Sequence, residues 1–293
     1  SRTSRERSKR EGMETRTVNP SSNVADYPLP ELKHLAVGSG RLAYREAGEG
    51  QPVLFLHGMN GQSGSWYHQF NALSEKYRVI AWDAPGYGSS TPCRGDIGDL
   101  AAIAFELVDR IRAEQPLVVG HSMGGVIAGR LAIDHPAEIL GLVLSCSHGG
   151  WADTPGRPLR SRYLKRLEEL RSMSPPEYAA LRASKMVSSR TDPAVREFLA
   201  AMSEAITPAA METVGRANQE ANNLPRLAKL DIPVIVLQAE HDTVIKPDRT
   251  EAMLEQLPNA RRIELKGVGH APYVEDPDGY SRTIEQIVTE LTE

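Results

Sequence analysis

From about residue 32 onward, short apolar runs alternate with longer stretches in which apolar positions recur every three or four residues. Runs such as Pro52-Val53-Leu54-Phe55-Leu56 are apolar without a polar face, the pattern of strands covered on both sides of a parallel sheet. Such runs predict strands over 52–56, 77–82, 117–119, 139–145 and 234–237; residues 262–265 read as a further strand, and residues 34–37 and 41–45, joined across Gly38-Ser39-Gly40, read as a hairpin. Helical spacing predicts helices over 66–73, 100–113 and 123–134; in the second, Leu100, Ile103, Leu107, Val108 and Ile111 fall largely on one side. A last helix begins near Pro277, with Asp276 placed to cap it. Strands alternating with helices imply an α/β domain with a mostly parallel eight-stranded sheet and helices on both faces.

The interval 149–223 breaks this rhythm. It holds no convincing strand, and its spacing predicts helices over 159–171, 176–187, 193–206 and 209–221, three of them opened by Ser174-Pro175-Pro176, Asp192-Pro193 and Thr207-Pro208. A helical insertion between two strands implies a cap over the sheet, entered through a hinge around Trp151 to Pro158. The chain thus divides into an arm (1–31, expected to be disordered), a core (32–148 and 224–293) and the cap (149–223).

Composition narrows the function. The 293 residues carry a formal charge of −4, which gives no electrostatic case for nucleic acid or an anionic membrane as partner. No stretch has the apolar length of a transmembrane helix. The first ten residues are basic but lack the apolar core of a secretory signal, and read as an arm upstream of Met13. Two cysteines, Cys93 and Cys146, make no disulfide framework or metal spacing, and Cys146, after Leu142-Val143-Leu144, is expected to be buried. A reducing, cytoplasmic compartment is the expectation.

Candidate chemistry sits where the apolar runs end. Gly120-His121-Ser122-Met123-Gly124-Gly125 contains G-x-S-x-G between a predicted strand and a predicted helix, the context of a nucleophile elbow. Such a turn strains the serine backbone and leaves no space for side chains at Gly120 and Gly124, while the helix N-terminus favours developing negative charge. A serine hydroxyl needs a base within hydrogen-bond reach. Of eight histidines, His270 follows the last strand, whereas His57 and His121 flank glycine turns and read as shaping them. His34, His68, His135 and His148 read as surface or structural. After the run 234–237, Asp242 is the candidate acid that orients His270, with Glu240 the nearest competitor. The backbone N–H groups of Met123 and Met59 are the candidate oxyanion donors. The glycine-rich run 58–64 lacks the ending of a P-loop and does not fit G-x-G-x-x-G, so nucleotide binding is rejected.

Together these segments resemble the α/β-hydrolase superfamily from about Leu32 to the C-terminus. The matching pieces are Leu56-His57-Gly58, Asp83-Ala84-Pro85-Gly86-Tyr87-Gly88, the serine motif, Glu240-His241-Asp242 and Gly269-His270. One departure is Ala239, where the family's turn before the acid commonly begins with glycine. Among subfamilies the chain looks like small esterases, enol-lactonases and meta-cleavage C–C hydrolases; Ala271 stands where the last often carry tryptophan. Serine at 122 argues against the dehalogenases and epoxide hydrolases, which use aspartate.

The resulting expectation is a carboxylesterase or lactonase acting on a small-molecule ester or lactone through an acyl-enzyme, with Ser122, Asp242 and His270 as its triad and no metal or organic cofactor implied. The cap, with Trp151 contacting substrate, is expected to form an apolar pocket. Two rivals stand beside it: hydrolytic C–C cleavage by the same serine, and a non-enzymatic ligand receptor on the same fold.

Overall fold

The computed structural model describes residues 24–293 apart from 39, 189, 190, 204 and 205. Its eight strands are β1 (Lys33–Val37), β2 (Gly40–Ala47), β3 (Pro52–Leu56), β4 (Arg78–Trp82), β5 (Leu117–His121), β6 (Gly141–Ser145), β7 (Val234–Ala239) and β8 (Arg261–Leu265), laid out in the order β1-β2-β4-β3-β5-β6-β7-β8. Only β1–β2 and β2–β4 pair antiparallel; from β4 through β8 every pairing is parallel. All C-terminal ends of the parallel strands therefore open on one rim of the sheet.

The helices are α1 (Tyr67–Leu73), α2 (Ile97–Arg110), α3 (Met123–Asp134), α4 (Ser161–Ser172), α5 (Pro175–Met186), α6 (Pro193–Ser203), α7 (Pro208–Glu220), α8 (Leu224–Leu227), α9 (Pro247–Gln256), α10 (Pro272–Glu275) and α11 (Pro277–Thr292). Because strand side chains alternate sides, each apolar run feeds two cores. Leu54, Leu56, Ile80, Trp82, Val118, Leu142 and Leu144 pack with α2 and α3, whereas Val53, Phe55, Val79, Ala81, Val119 and Val143 pack with Trp66, Phe70 and α11. Each fully buried Leu or Phe is worth roughly 2 kcal/mol in apolar area removed from water, and this anchors the rim rigidly.

Start signals act where they were read. Ser174 and Glu177 form a capping box on α5, the Thr207 hydroxyl accepts from the Ala210 N–H, and the Asp276 carboxylate accepts from the Gly279 N–H. Two differences have simple causes. Helix α2 starts at Ile97, earlier than expected, because Asp96 caps it by accepting from Gly98 and Asp99 N–H groups. Helix α9 was not expected; its sequence PDRTEAMLEQ is polar and buries only Thr250 and Met253, so it carries no apolar periodicity.

The expectation of a disordered arm is corrected for its last residues. Val24–Asp26 forms a short 3-10 helix, and the Tyr27 ring packs edge-on against Tyr67 (5.4 Å) and Phe198 (4.9 Å), so aromatic burial orders this stretch. Residues 1–23, including Met13, lie outside the described residues. Among the described residues no helix is long and apolar enough to cross a membrane.

Helices α4 to α7 leave the sheet after β6 and return before β7. They are tied to the loop after β3: the Ser203 hydroxyl donates to the Asn60 carbonyl oxygen (2.7 Å), the Tyr178 hydroxyl to Asn60 Oδ1 (3.3 Å), and Gln62 Nε2 to the Met202 carbonyl oxygen (3.2 Å).

Candidate active site

Ser122 sits between β5 and α3 with φ 51° and ψ −117°, a strained conformation for a residue with a Cβ. The turn closes so tightly that a Cβ on Gly124 would meet the Leu56 carbonyl oxygen at 2.1 Å, and one on Gly120 the Gly124 carbonyl oxygen at 2.4 Å. Glycine at both places is a steric requirement of the elbow. The Ser122 N–H donates to the Ser145 carbonyl oxygen (2.9 Å), and the Ser147 hydroxyl donates to the Ser122 carbonyl oxygen (2.6 Å), which holds the strained residue to the end of β6.

The loop after β8 brings in His270, and the turn after β7 brings in Asp242. The His270 Nδ1–H donates to Asp242 Oδ2 over 2.8 Å, with both side chains buried. Asp242 Oδ1 accepts from the Val244 (2.8 Å) and Ile245 (2.9 Å) N–H groups. Burial works to raise the Asp242 pKa, but the His270 ring and these two backbone donors outweigh it and hold the carboxylate below its ordinary range. Glu240 is turned away and accepts from the Gly267 N–H, so it does not compete. Ala239 ends β7 buried, and the turn closes with the Asp242 N–H on the Ala239 carbonyl oxygen, so glycine is not needed there.

Ser122 and His270 both line one cleft at the rim, together with Met59 and Met123. No direct hydrogen bond joins the Ser122 hydroxyl to the His270 ring in this conformation; a bond of this kind commonly tightens only when substrate is bound. The Met123 N–H belongs to the first turn of α3, whose donors a helix leaves unpaired. The Met59 N–H has no acceptor among the described residues. Both residues are steadied by Tyr87, fully buried, whose hydroxyl donates to the Met59 carbonyl oxygen (3.0 Å) and touches Met123 Sδ (3.8 Å). In the sequence Tyr87 stands only as part of a motif; its place after β4, pointing under the β3 loop, is visible only in the fold.

The neighbouring histidines hold the turns. His57 Nε2 accepts from the Ala84 N–H (3.0 Å), so its Nδ1 carries the proton and donates to the Gly58 carbonyl oxygen (2.8 Å). The His121 Nε2–H donates to the His270 carbonyl oxygen (2.6 Å). Burial lowers the pKa of both rings, that of His121 to about 3. His148, read as surface or structural, lines the cleft; burial and the charges of Arg249 and Arg162 lower it to about 3, and Nδ1 accepts from the Gly150 N–H.

The ligand atoms of Cys146, Asp242 and His270 lie within 4.8 Å of one another, which is metal-like spacing. Their chemistry does not fit a metal: burial raises the Cys146 thiol well above its usual range, leaving it protonated, and the Asp242 oxygens are already taken by three N–H donors.

Two expectations about the pocket are corrected. Trp151 does not line the cleft with Ser122; its indole is covered by Arg249 (3.9 Å), Arg160 (4.5 Å) and Arg162 (5.0 Å) and borders a separate depression. Stacked guanidinium groups have claimed the ring that was expected to meet substrate. The cleft, about 610 Å³ with its mouth, is not apolar either, since Arg162, Arg166, Arg182 and Lys185 line it.

Comparison with known proteins places this geometry. A family model described as alpha/beta hydrolase fold matches residues 51–277. The chain is 27% identical over 83% of its length to the dihydrolipoyllysine-residue acetyltransferase component of an acetoin cleaving system from Cupriavidus necator, of which it spans 64%. It is 29% identical over 89% of its length to Lipase 3 of Moraxella sp., covering 87% of that protein. Its fold resembles that of a thermophilic esterase from Thermogutta terrifontis, with TM-score 0.78 at 23% identity over 89% of this chain and 99% of that one. With the sheet order, the elbow and the family match over most of its length, the chain belongs to the alpha/beta hydrolase fold family.

Proposed function

We propose that the protein is a serine hydrolase that cleaves a carboxylic ester or lactone of a small molecule through an acyl-enzyme. The observation that carries this reading is the buried His270–Asp242 pair at 2.8 Å, opening on the cleft where Ser122 is held in its strained turn. Asp242 keeps the His270 proton on Nδ1, leaving Nε2 free to accept the Ser122 proton as the hydroxyl attacks the carbonyl carbon. The oxyanion takes hydrogen bonds from the Met59 and Met123 N–H groups, favoured by the N-terminus of α3. His270 then returns the proton to the leaving oxygen; in the second half the same ring takes a proton from a water that attacks the acyl carbon and passes it to Ser122 Oγ as the acid leaves. Lipase and esterase relatives support ester chemistry, and residues 149–223 serve as a cap over the cleft. A cytoplasmic small-molecule enzyme is the setting this reading implies.

The test is hydrolysis of p-nitrophenyl butyrate by wild type and Ser122→Ala. A loss of at least about a thousandfold in kcat with the fold retained is expected. A folded Ser122→Ala protein of unchanged kcat excludes the mechanism, and a wild type that binds esters tightly without turnover indicates a receptor.

A further inference from the structure

Arg162 and Arg166 stand one turn apart on α4, and Arg182 and Lys185 three residues apart on α5, so each pair shares a helix face. Both faces look into the cleft of Ser122 and His270. Among the described residues no carboxylate lines the cleft with them. The Glu169 carboxylate lies 2.7 Å from Arg182 Nη2, yet Arg182 Nε has no partner among the described residues although the residue is only 8% exposed. Arg162 and Arg166, each partly buried, form no ion pair among the described residues; Arg162 rests over the Trp151 ring, and Arg166 Nη1 meets only Met59 Sδ, a weak acceptor, at 2.9 Å.

Three guanidinium groups drawn partly out of water with one carboxylate between them are an uncompensated arrangement. Burial, together with the neighbouring Arg166 charge, lowers the pKa of both Arg162 and Arg182. A ligand oxyanion supplies the missing counter-charge, and a guanidinium fork suits carboxylate and phosphate oxygens. We infer that the substrate carries an oxyanion, a carboxylate or a phosphate, which Arg162, Arg166 and Arg182 hold beneath the cap while the ester or lactone carbonyl meets Ser122. This rests on the serine-hydrolase reading and adds the charge of its substrate.

The experiment compares p-nitrophenyl hemiglutarate with neutral p-nitrophenyl butyrate at low ionic strength, in wild type, Arg166→Met and Arg166→Lys. An anionic preference in kcat/KM of about thirtyfold is expected in wild type, weakening with salt, with most of it lost in Arg166→Met and part of it kept in Arg166→Lys. Equal or faster turnover of the neutral ester by wild type overturns the inference for a carboxylate and leaves the hydrolase reading intact. A second measurement needs no turnover: glutarate and phenyl phosphate, but not glutaramide, are expected to slow labelling of wild type by a neutral fluorophosphonate. Protection by glutarate alone assigns a carboxylate and by phenyl phosphate alone a phosphate; protection by neither overturns the inference. If the fluorophosphonate never labels Ser122, the hydrolase reading itself fails.

Discussion

The His121 ring donates through Nε2 to the carbonyl oxygen of His270, 2.6 Å away, and so ties the turn that carries Ser122 to the loop that carries His270. The two rings stand 4.8 Å apart, and Tyr273 lies against the His121 ring at 4.9 Å. Burial keeps His121 neutral, so it acts as a fixed strut and not as a second base.

Replacing that strut should loosen the base. His121→Ala is expected to lower kcat about ten- to a hundredfold, with a smaller change in KM, because it acts through the position of His270. Steady-state kinetics on a neutral ester check this; an unchanged kcat in a folded variant contradicts it.

Asp242 sets the tautomer of His270. Asp242→Asn is expected to cost about a thousandfold or more in kcat while leaving the protein folded, since the amide can present a donor where the Nδ1–H needs an acceptor. Glu240→Gln, at an exposed site bonded to Gly267, is expected to change kcat less than threefold. Equal losses in the two variants would reverse the assignment of the acid.

Tyr87 anchors the Met59 carbonyl from below. Removing its hydroxyl in Tyr87→Phe leaves that carbonyl oxygen without its donor, at about 1–2 kcal/mol of stability, and is expected to lower kcat severalfold by freeing the Met59 N–H. Urea denaturation and kinetics on the same preparation measure both effects.

Acid should weaken the fold before it touches the carboxylates. His121 and His148 have pKa values of about 3 in the folded state, below the ordinary histidine value, so the unfolded chain binds more protons between roughly pH 3 and 6.5. Their contribution is complete above about pH 6.5 and declines as pH falls, by up to about 1.4 kcal/mol per pH unit for each ring. Asp242, with its lowered pKa, adds stability that is lost only further down, below about pH 4. Chemical denaturation from pH 7.5 to 5 is expected to show the decline, and His148→Gln a shallower one.

Much of this site was legible before the fold was known. Ser122 and Asp242 each follow a short apolar run and His270 follows the last strand, and parallel strands deliver their C-terminal ends to one rim. Gly120 and Gly124 were legible for the same reason, because a turn that tight excludes a Cβ. Trp151 was misread because an aromatic residue near a hinge looks like a pocket wall, and the arginines that stack on it come from distant positions, 160, 162 and 249. The cationic lining was missed because charges at helical spacing usually face water; the 162/166 and 182/185 pairs carried the signal, but only the packing of the cap turns them inward.

The central claim is that Ser122 is the nucleophile. Mass spectrometry of protein treated with a fluorophosphonate tests it most directly, since trypsin releases Ser122 in the peptide 113–130. The expected result is one stoichiometric adduct on Ser122, with matching loss of esterase activity and no adduct in Ser122→Ala. An adduct at another residue, with Ser122→Ala labelled as fast as wild type, would contradict the account.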